Sequence, residues 1–398
     1  MTKSLAHYVR LAFLSFYANI HLVNKDKRQG LRTWLEIDTK AAKHNFAEFR
    51  RTISPKAKIM AVVKSNAYGN GFFDYAKLID EIGADWLGVD SVIEAKTLRG
   101  EGIKKPILIM GYTLPEMLSV AAKNDASISV SNFEYFKHLA QLKEKNKIKI
   151  HIKVDTGMRR HGFDVKDMKK LFSEIKKLAN KIEIEGLYTH LANAADKDLS
   201  EKQIAEYKIW KKEFENKGYK PLHHVCGTGG TMLHPEAHFD LVRVGIGLYG
   251  MWPSPEAKMI VGDKMNLKPV LSWRTVVGEI KKLKAGEGIS YDLSEVVSRD
   301  TVVAVCPIGY WHGLFRSMSS KAKFLVNGVP CKVLGRVCMD IVMIDVTDAG
   351  KVKIGDEVTI VGKSKNSENT MEYLAETAGT SAYEFSTRIN PLIKKILL

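Results

Sequence analysis

Residues 61–71 read Ala-Val-Val-Lys-Ser-Asn-Ala-Tyr-Gly-Asn-Gly, so Lys64 follows an apolar β-type run and precedes a Gly-rich turn. In α/β proteins, sites lie at such strand ends. A partly desolvated amine there suits Schiff-base chemistry or proton abstraction. A solvated lysine in an ordinary βα loop has the same spacing, so the surroundings must choose. Other chemistry-bearing groups recur at similar addresses: Asp155, Arg160 and His161; His190 with Asn193; His224 and Thr228 among Gly227, Gly229 and Gly230; and Arg243 ahead of Gly245-Ile246-Gly247. Taken singly, each reads as a satisfied core histidine or a salt-bridge partner. One polar or Gly-rich cluster after each of several strands reads as a single mouth-facing site.

The turns at 226–231 and 245–247 offer backbone N–H groups to an anion, the barrel type of phosphate site. A reactive lysine opposite a phosphate cradle fits pyridoxal 5′-phosphate (PLP), whose aldehyde condenses with an amine. An Asp facing the pyridine nitrogen would keep it protonated and strengthen the electron sink. Arg243, always charged, would leave it unprotonated, which suits rapid proton return over decarboxylation or transamination.

The elements that must position these groups are legible as alternation. Strand-like runs at 58–63, 86–89, 106–110, 126–130, 149–154, 183–188, 223–226 and 241–244 are separated by helical stretches such as 93–99, 132–143, 165–178 and 203–217. A doubly wound sheet would alternate similarly, but the count of eight favours a (β/α)8 TIM-like barrel over 31–268. From 269 to 398 the rhythm becomes strands and short turns (276–284, 301–307, 322–326, 329–333, 343–346, 357–361), with a hairpin signal at Asn327-Gly328 and a closing helix at 371–377. That is a mostly β C-terminal domain, and 31–38 is strand-like and compatible with pairing in either domain.

Residues 1–30 stand apart as an extension of unknown role. Its apolar run at 11–17 is shorter than the about 20 residues a bilayer span needs. Lys3 and Arg10 ahead of that run give it a signal-like look, without a clean small-residue cleavage site. Net charge is +16, but the lysines are dispersed with glutamates between them, which argues for a solvated surface and against nucleic-acid binding. The 4 cysteines form no CxxC pair, which points away from metal and disulfide frames and toward a reducing, cytoplasmic setting.

From Arg32 onward the chain resembles the alanine racemase family, most specifically through residues 61–71, which are similar to the family's PLP-lysine signature. The resemblance implies a homodimer of a PLP-binding barrel and a β domain with shared active sites, converting L- and D-alanine and supplying D-alanine for peptidoglycan. By it, Lys64 carries the cofactor and is one catalytic base. Tyr291, in Gly288-Ile289-Ser290-Tyr291, is the second base, supplied by the partner subunit. Arg243 matches the arginine on the pyridine nitrogen and His224 its supporting partner, with His190 also lining the cofactor. Tyr68, Thr228, Gly245, Ile246 and Tyr383 match phosphate-holding positions. Arg160 resembles the arginine near the cofactor phenol oxygen and substrate carboxylate, and Lys153 a position that can be carbamylated. Met339 matches a residue whose backbone helps hold that carboxylate across the dimer, Asp340 shares its motif, and Tyr310 resembles an entrance residue.

The departures are His161 where leucine is usual, Gly227-Thr228-Gly229-Gly230 in place of an Asn-Ser-Ala-Ala-like turn, and Trp311-His312 in place of Ala-Asp. They leave a serine or broad-specificity racemase as an alternative. A same-fold PLP decarboxylase would be expected to carry a carboxylate toward the pyridine nitrogen, where Arg243 stands, and PLP storage would need no Tyr291.

Overall fold

The structure, a computed structural model, describes residues 27–398 except residue 145. The apolar run at 11–17 therefore lies outside the described residues. The first strand, β1 (Thr33–Ile37), is followed by eight strands, several of them near-continuous apolar runs: β2 (Lys58–Val62), β3 (Trp86–Val89), β4 (Ile107–Ile109), β5 (Ala126–Val130), β6 (Ile148–Lys153), β7 (Ile182–Tyr188), β8 (Leu222–His224) and β9 (Leu241–Val244). Strands buried on both faces need helices outside and a packed interior, and read as unbroken Val/Ile/Leu runs for that reason. They pair in parallel in the order β8-β7-β6-β5-β4-β3-β2-β9. Backbone bonds from Arg243 to Cys226 (2.9 Å) and from Asp240 to His223 (3.1 Å) then bring the two ends together into a barrel.

The second unit is a sheet of β10 (Leu271–Val276), β11 (Glu279–Leu283), β14 (Thr301–Cys306), β15 (Lys323–Val326), β16 (Val329–Leu334), β17 (Val342–Asp345), β18 (Glu357–Ser364), β19 (Ser367–Asn369) and β20 (Lys394–Leu397), while β12 (Gly288–Ile289) and β13 (Glu295–Val296) form a separate small hairpin. The β1 strand belongs here, antiparallel to β10 and parallel to β20. The run read as one strand at 276–284 is mainly β11, which pairs with β14; its first residue, Val276, closes β10, a strand that starts earlier at Leu271 and pairs with β1, and Val277-Gly278 separates the two. After the helix Met371–Ala378 the chain adds a second helix, Ala382–Arg388, and then β20. These were hidden because both are short and polar. One continuous apolar cluster runs from Leu35 through the barrel to Ile393, so the two units share a core.

Candidate active site

The loop after β2 carries Lys64 and then turns left-handed. Ser65, Asn66, Ala67 and Tyr68 have φ between 49° and 58°, ahead of Gly69 at 88°. Each non-glycine residue in this region costs roughly 1–2 kcal/mol, so the surroundings must over-determine the turn. Asn66 Oδ1 accepts from the Phe72 N–H (3.0 Å), Glu94 Oε1 accepts from the Ser65 N–H (2.9 Å), and the Asn70 side chain donates to the Ala67 carbonyl (2.9 Å). From the second unit, the Ser386 carbonyl packs where a Cβ at Gly69 would come within 2.2 Å. The effect is to present the Lys64 amine and the Tyr68 ring on one side of the barrel mouth.

Lys64 differs from the desolvated amine that the sequence suggests. Its side chain is 35% exposed, and Nζ donates to Asp90 Oδ1 at 2.7 Å. Asp90 and Glu94 were not singled out from the sequence. The Ser91–Glu94 capping box was a readable signal for the helix Val92–Gly100, but not for Glu94 reaching across to the lysine loop.

Opposite the loop, Tyr68 stacks on Tyr249 (ring centroids 4.9 Å) and faces Tyr383 (6.1 Å), brought in on the helix Ala382–Arg388. Neither the Tyr68 nor the Tyr383 hydroxyl has a protein partner among the described residues, and burial raises Tyr68 to about 12. Thr228 Oγ1 accepts the Gly245 N–H at 3.0 Å, leaving its own hydrogen to donate. A Cβ at Gly245 would stand 2.7 Å from the Tyr68 hydroxyl, so this backbone must stay bare. Tyr383, Tyr68, Gly245 and Thr228 are thus successive neighbours, with Ile246 next in the chain, and the two tyrosyl hydroxyls and the Thr228 hydrogen are uncommitted donors. That donor set fits a phosphate.

Deeper in the mouth, Arg243 is buried and has no carboxylate in contact. Nη1 donates to His224 Nδ1 (2.8 Å) and the His224 carbonyl (2.9 Å). Nη2 donates to the carbonyls of Thr189 (2.7 Å) and Val225 (2.9 Å) and to His190 Nδ1 (3.2 Å). Its Nε–H alone has no protein partner among the described residues, so the guanidinium keeps one donor for an acceptor that enters the mouth. Tyr188, which the sequence reading passed over, lies flat on His224 (4.7 Å, 4°) and under the Arg243 guanidinium (5.2 Å). His190 is neutral: burial first, then Arg243 and Arg160, bring it down to about 3.

Arg160 and His161 sit exposed on the loop after β6. That loop is shaped by Asp155, which accepts from the Gly157 (2.8 Å) and Arg159 (3.1 Å) N–H groups. Lys153 is 8% exposed, and burial, with Arg160 and Arg243 adding to it, lowers it to about 8. Asn193 faces away, accepting from Ala195 N–H in its own turn.

Tyr291, Tyr310, Met339 and Asp340 are placed elsewhere. They lie on one unit, at 66%, 43% and 56% exposure for the first three, and no hydrogen bond, ion pair or ring contact among the described residues joins them to the barrel mouth. Their own support is firm. Ser290 Oγ accepts from Arg336 N–H (2.9 Å), and Glu295 holds Lys332, Ser320 and the Gly335 N–H. The Tyr310 and Trp311 N–H groups donate to the carbonyls of Cys338 and Met339 (both 2.9 Å), so the two loops form one platform.

Comparison with known proteins decides what this scaffold is. The sequence model of the alanine racemase N-terminal domain matches residues 37–253, and that of the alanine racemase C-terminal domain matches residues 270–397. The chain belongs to the alanine racemase family. It is similar to the alanine racemase of Methanococcus maripaludis, with 37% identity over 92% of this chain and 98% of that one. It is 38% identical to that of Symbiobacterium thermophilum, over 89% and 94% of the two chains. Among solved structures, alanine racemase from Bacillus anthracis with bound L-Ala-P superposes with a TM-score of 0.86 at 33% identity, covering 92% and 95% of the chains. The enzyme from the D-cycloserine producer Streptomyces lavendulae gives 0.85 at 31%, covering 93% and 98%. The barrel with its antiparallel second unit is the family's architecture, and the chain is an amino-acid racemase. Among the described residues no helix is long and apolar enough to cross a membrane.

Proposed function

We propose that this racemase is PLP-dependent, interconverts L- and D-alanine by a two-base mechanism in a homodimer, and supplies D-alanine for peptidoglycan. The observation that carries the cofactor reading is the pairing of Lys64 at the mouth with the uncommitted Nε–H of Arg243 deeper in it, flanked by the hydroxyl-lined space at Thr228 and Tyr68. When bound, PLP supplies an aldehyde for the amino group and a conjugated ring that withdraws electrons from Cα. Lys64 holds the cofactor, Arg243 meets its ring nitrogen with His224 and His190 in support, and Tyr68, Thr228, Gly245, Ile246 and Tyr383 hold its phosphate.

On one face of the substrate, Lys64 Nζ removes or returns the Cα proton. On the other, Tyr291 of the partner subunit does the same, so one site serves both enantiomers. Two-sided access is consistent with the exposed Tyr291 face, which offers nothing to its own barrel. Arg160, together with the Met339 backbone of the partner subunit, orients the substrate carboxylate. Tyr310 and Asp340 of the partner subunit form the entrance. Lys153, lowered to about 8, presents a free amine at mildly alkaline pH. Addition of carbon dioxide to that neutral amine, with release of one N–H proton, would leave a carbamate anion beside Arg160 where the protonated lysine is a cation. The 4 cysteines are all free thiols, in keeping with a reducing cytoplasm.

The reading is tested by solvent deuterium exchange at Cα across a panel of enantiopure amino acids, with carbon dioxide release followed alongside. Exchange and inversion of alanine without carbon dioxide support it. Preferential turnover of serine, for which Trp311-His312 at the entrance is the motivating departure, would replace the substrate, and release of carbon dioxide would replace the reaction.

A further inference from the structure

Behind Arg243 a chain of polar groups crosses the barrel interior. A guanidinium only donates, so His224 Nδ1 must present a lone pair and His224 must carry its hydrogen on Nε2. That hydrogen points at His151 Nδ1 (2.9 Å), which forces the His151 hydrogen onto Nε2, and this in turn points at Glu185 Oε2 (3.2 Å). The same carboxylate oxygen accepts from the Ser127 hydroxyl. Every hydrogen has one assignment, and the direction is fixed at both ends by charge.

The backbone is shaped to allow this. Pairing between β6 and β7 slips between Ile150 and His151, so that Ile150 faces Ile184 but His151 faces Gly186 and Glu185 is the extra residue. A bulge of this kind re-aims a side chain, here a carboxylate toward the imidazole. A Cβ at Gly186 would lie 2.1 Å from His151 Nδ1, so that glycine is what admits the ring. Burial lowers both histidines, Arg243 lowers His224 further, and neither holds a second proton. Burial would raise Glu185, but its bonds to His151 and Ser127 and the Lys149 charge outweigh it and hold the carboxyl low.

We propose that Glu185 and His151 are positioning residues for the cofactor: the bulge-aimed carboxylate anchors the far end of a relay whose near end Arg243 sets, so that His151 and His224 each keep one tautomer and Arg243 is locked with its Nε–H toward the ring nitrogen. This rests on the PLP reading above. Reversing the chain would set His224 Nδ1–H against Arg243 Nη1–H and push the guanidinium off its place. Arg243 makes no direct contact with an acid, so Glu185 is also the anion that this relay links to its buried charge.

The test is ring nitrogen NMR of the full-length protein, without and with PLP, together with the PLP dissociation constant, for wild type, Glu185→Gln and Ser127→Ala. In wild type, His151 and His224 each carry a single hydrogen, on Nε2. The isosteric Glu185→Gln amide can donate or accept and removes the charge that anchors the far end, so with the tautomers held by Arg243 alone a minor reversed population of His151 and His224 appears and PLP binds about tenfold more weakly. Ser127→Ala keeps the carboxylate and the wild-type pattern. A wild-type His224 protonated on Nδ1 overturns the proposal without any substitution, as does a Glu185→Gln protein with unchanged tautomers or unchanged affinity. Failure of wild type to bind PLP at all would sink the cofactor reading instead, while the tautomers would still report on the relay.

Discussion

The ring-nitrogen end of the barrel mouth and the Tyr291 face of the second unit differ in how complete they are within one chain. Around Arg243, all but one donor is satisfied, the histidines are buried and neutral, and a Tyr188 ring packs flat against the group. Around Tyr291, the backbone is anchored as firmly, yet the side chain projects at 66% exposure with Leu293 and Val296 beside it at 65% and 60%. Large apolar side chains massed on a surface mark an interaction site more often than chance exposure. The contrast teaches that the Arg243 end is finished when the chain folds, whereas the Tyr291 face stands open, as the proposed second subunit would require.

That comparison can be broken outright at Lys64. Lys64→Ala should lower racemisation by roughly a thousandfold or more, and the reduced, denatured protein should carry no added cofactor mass. Retained mass would remove the lysine from the finished half. Tyr291→Phe should cost about a hundredfold or more and abolish Cα-proton exchange from one enantiomer only. Mixing it with Lys64→Ala protein and reassociating the subunits should restore activity, since a hybrid dimer has one site with both bases intact. An active monomer, or no recovery on mixing, would show that the exposed face is not the missing half.

Smaller effects sharpen the contrast through pH. His190, His224 and His151 are held neutral when folded but regain ordinary values near 6.5 when unfolded. Between those values the unfolded chain binds more protons, so stability present above about pH 6.5 is lost as pH falls. Melting temperature should therefore drop on acidification from neutrality to pH ~5, and His190→Asn should shallow that drop, while substitutions on the Tyr291 face should leave it unchanged. Lys153 behaves on the alkaline side. Its folded value of about 8 lies below the unfolded 10.5, so its cost is full below pH 8 and fades as pH rises toward 10.5. In carbonate-free buffer Lys153→Met should stabilise the protein at pH 7 by about 1–3 kcal/mol and flatten the rise in melting temperature above pH 8. Least of all, Thr228→Ser should change PLP affinity by less than about twofold, because either hydroxyl can accept from Gly245 and donate outward.

The barrel strands were legible because most are short runs rich in Val, Ile and Leu bounded by turns, with β6 and β7 alternating apolar and polar residues, and the mouth groups followed from their places at strand ends. What the sequence hid depends on distance in the chain. Glu185 sits in an alternating strand and would be expected to face outward, and only the bulge opposite His151 turns it in. Asp90 meets Lys64 across neighbouring strands, a contact no local pattern records. Tyr188 reads as an ordinary strand aromatic until His224 and Arg243 are found against its face. The break at Val277-Gly278 was missed because strand-compatible residues stand on both sides of it and only one glycine marks the change.

The β1 strand lies between β10 and β20, so the first and last strands of the described chain are neighbours in one sheet. During synthesis Thr33–Ile37 emerges long before either pairing partner, so the sheet around Leu35 and Ile37, both fully buried in the finished protein, is completed only when the last strands arrive. A fragment that kept β1 and the barrel but ended before β10 would leave that strand's hydrogen-bonding edges open, an invitation to aggregate. It follows that the barrel is a poor candidate for expression by itself.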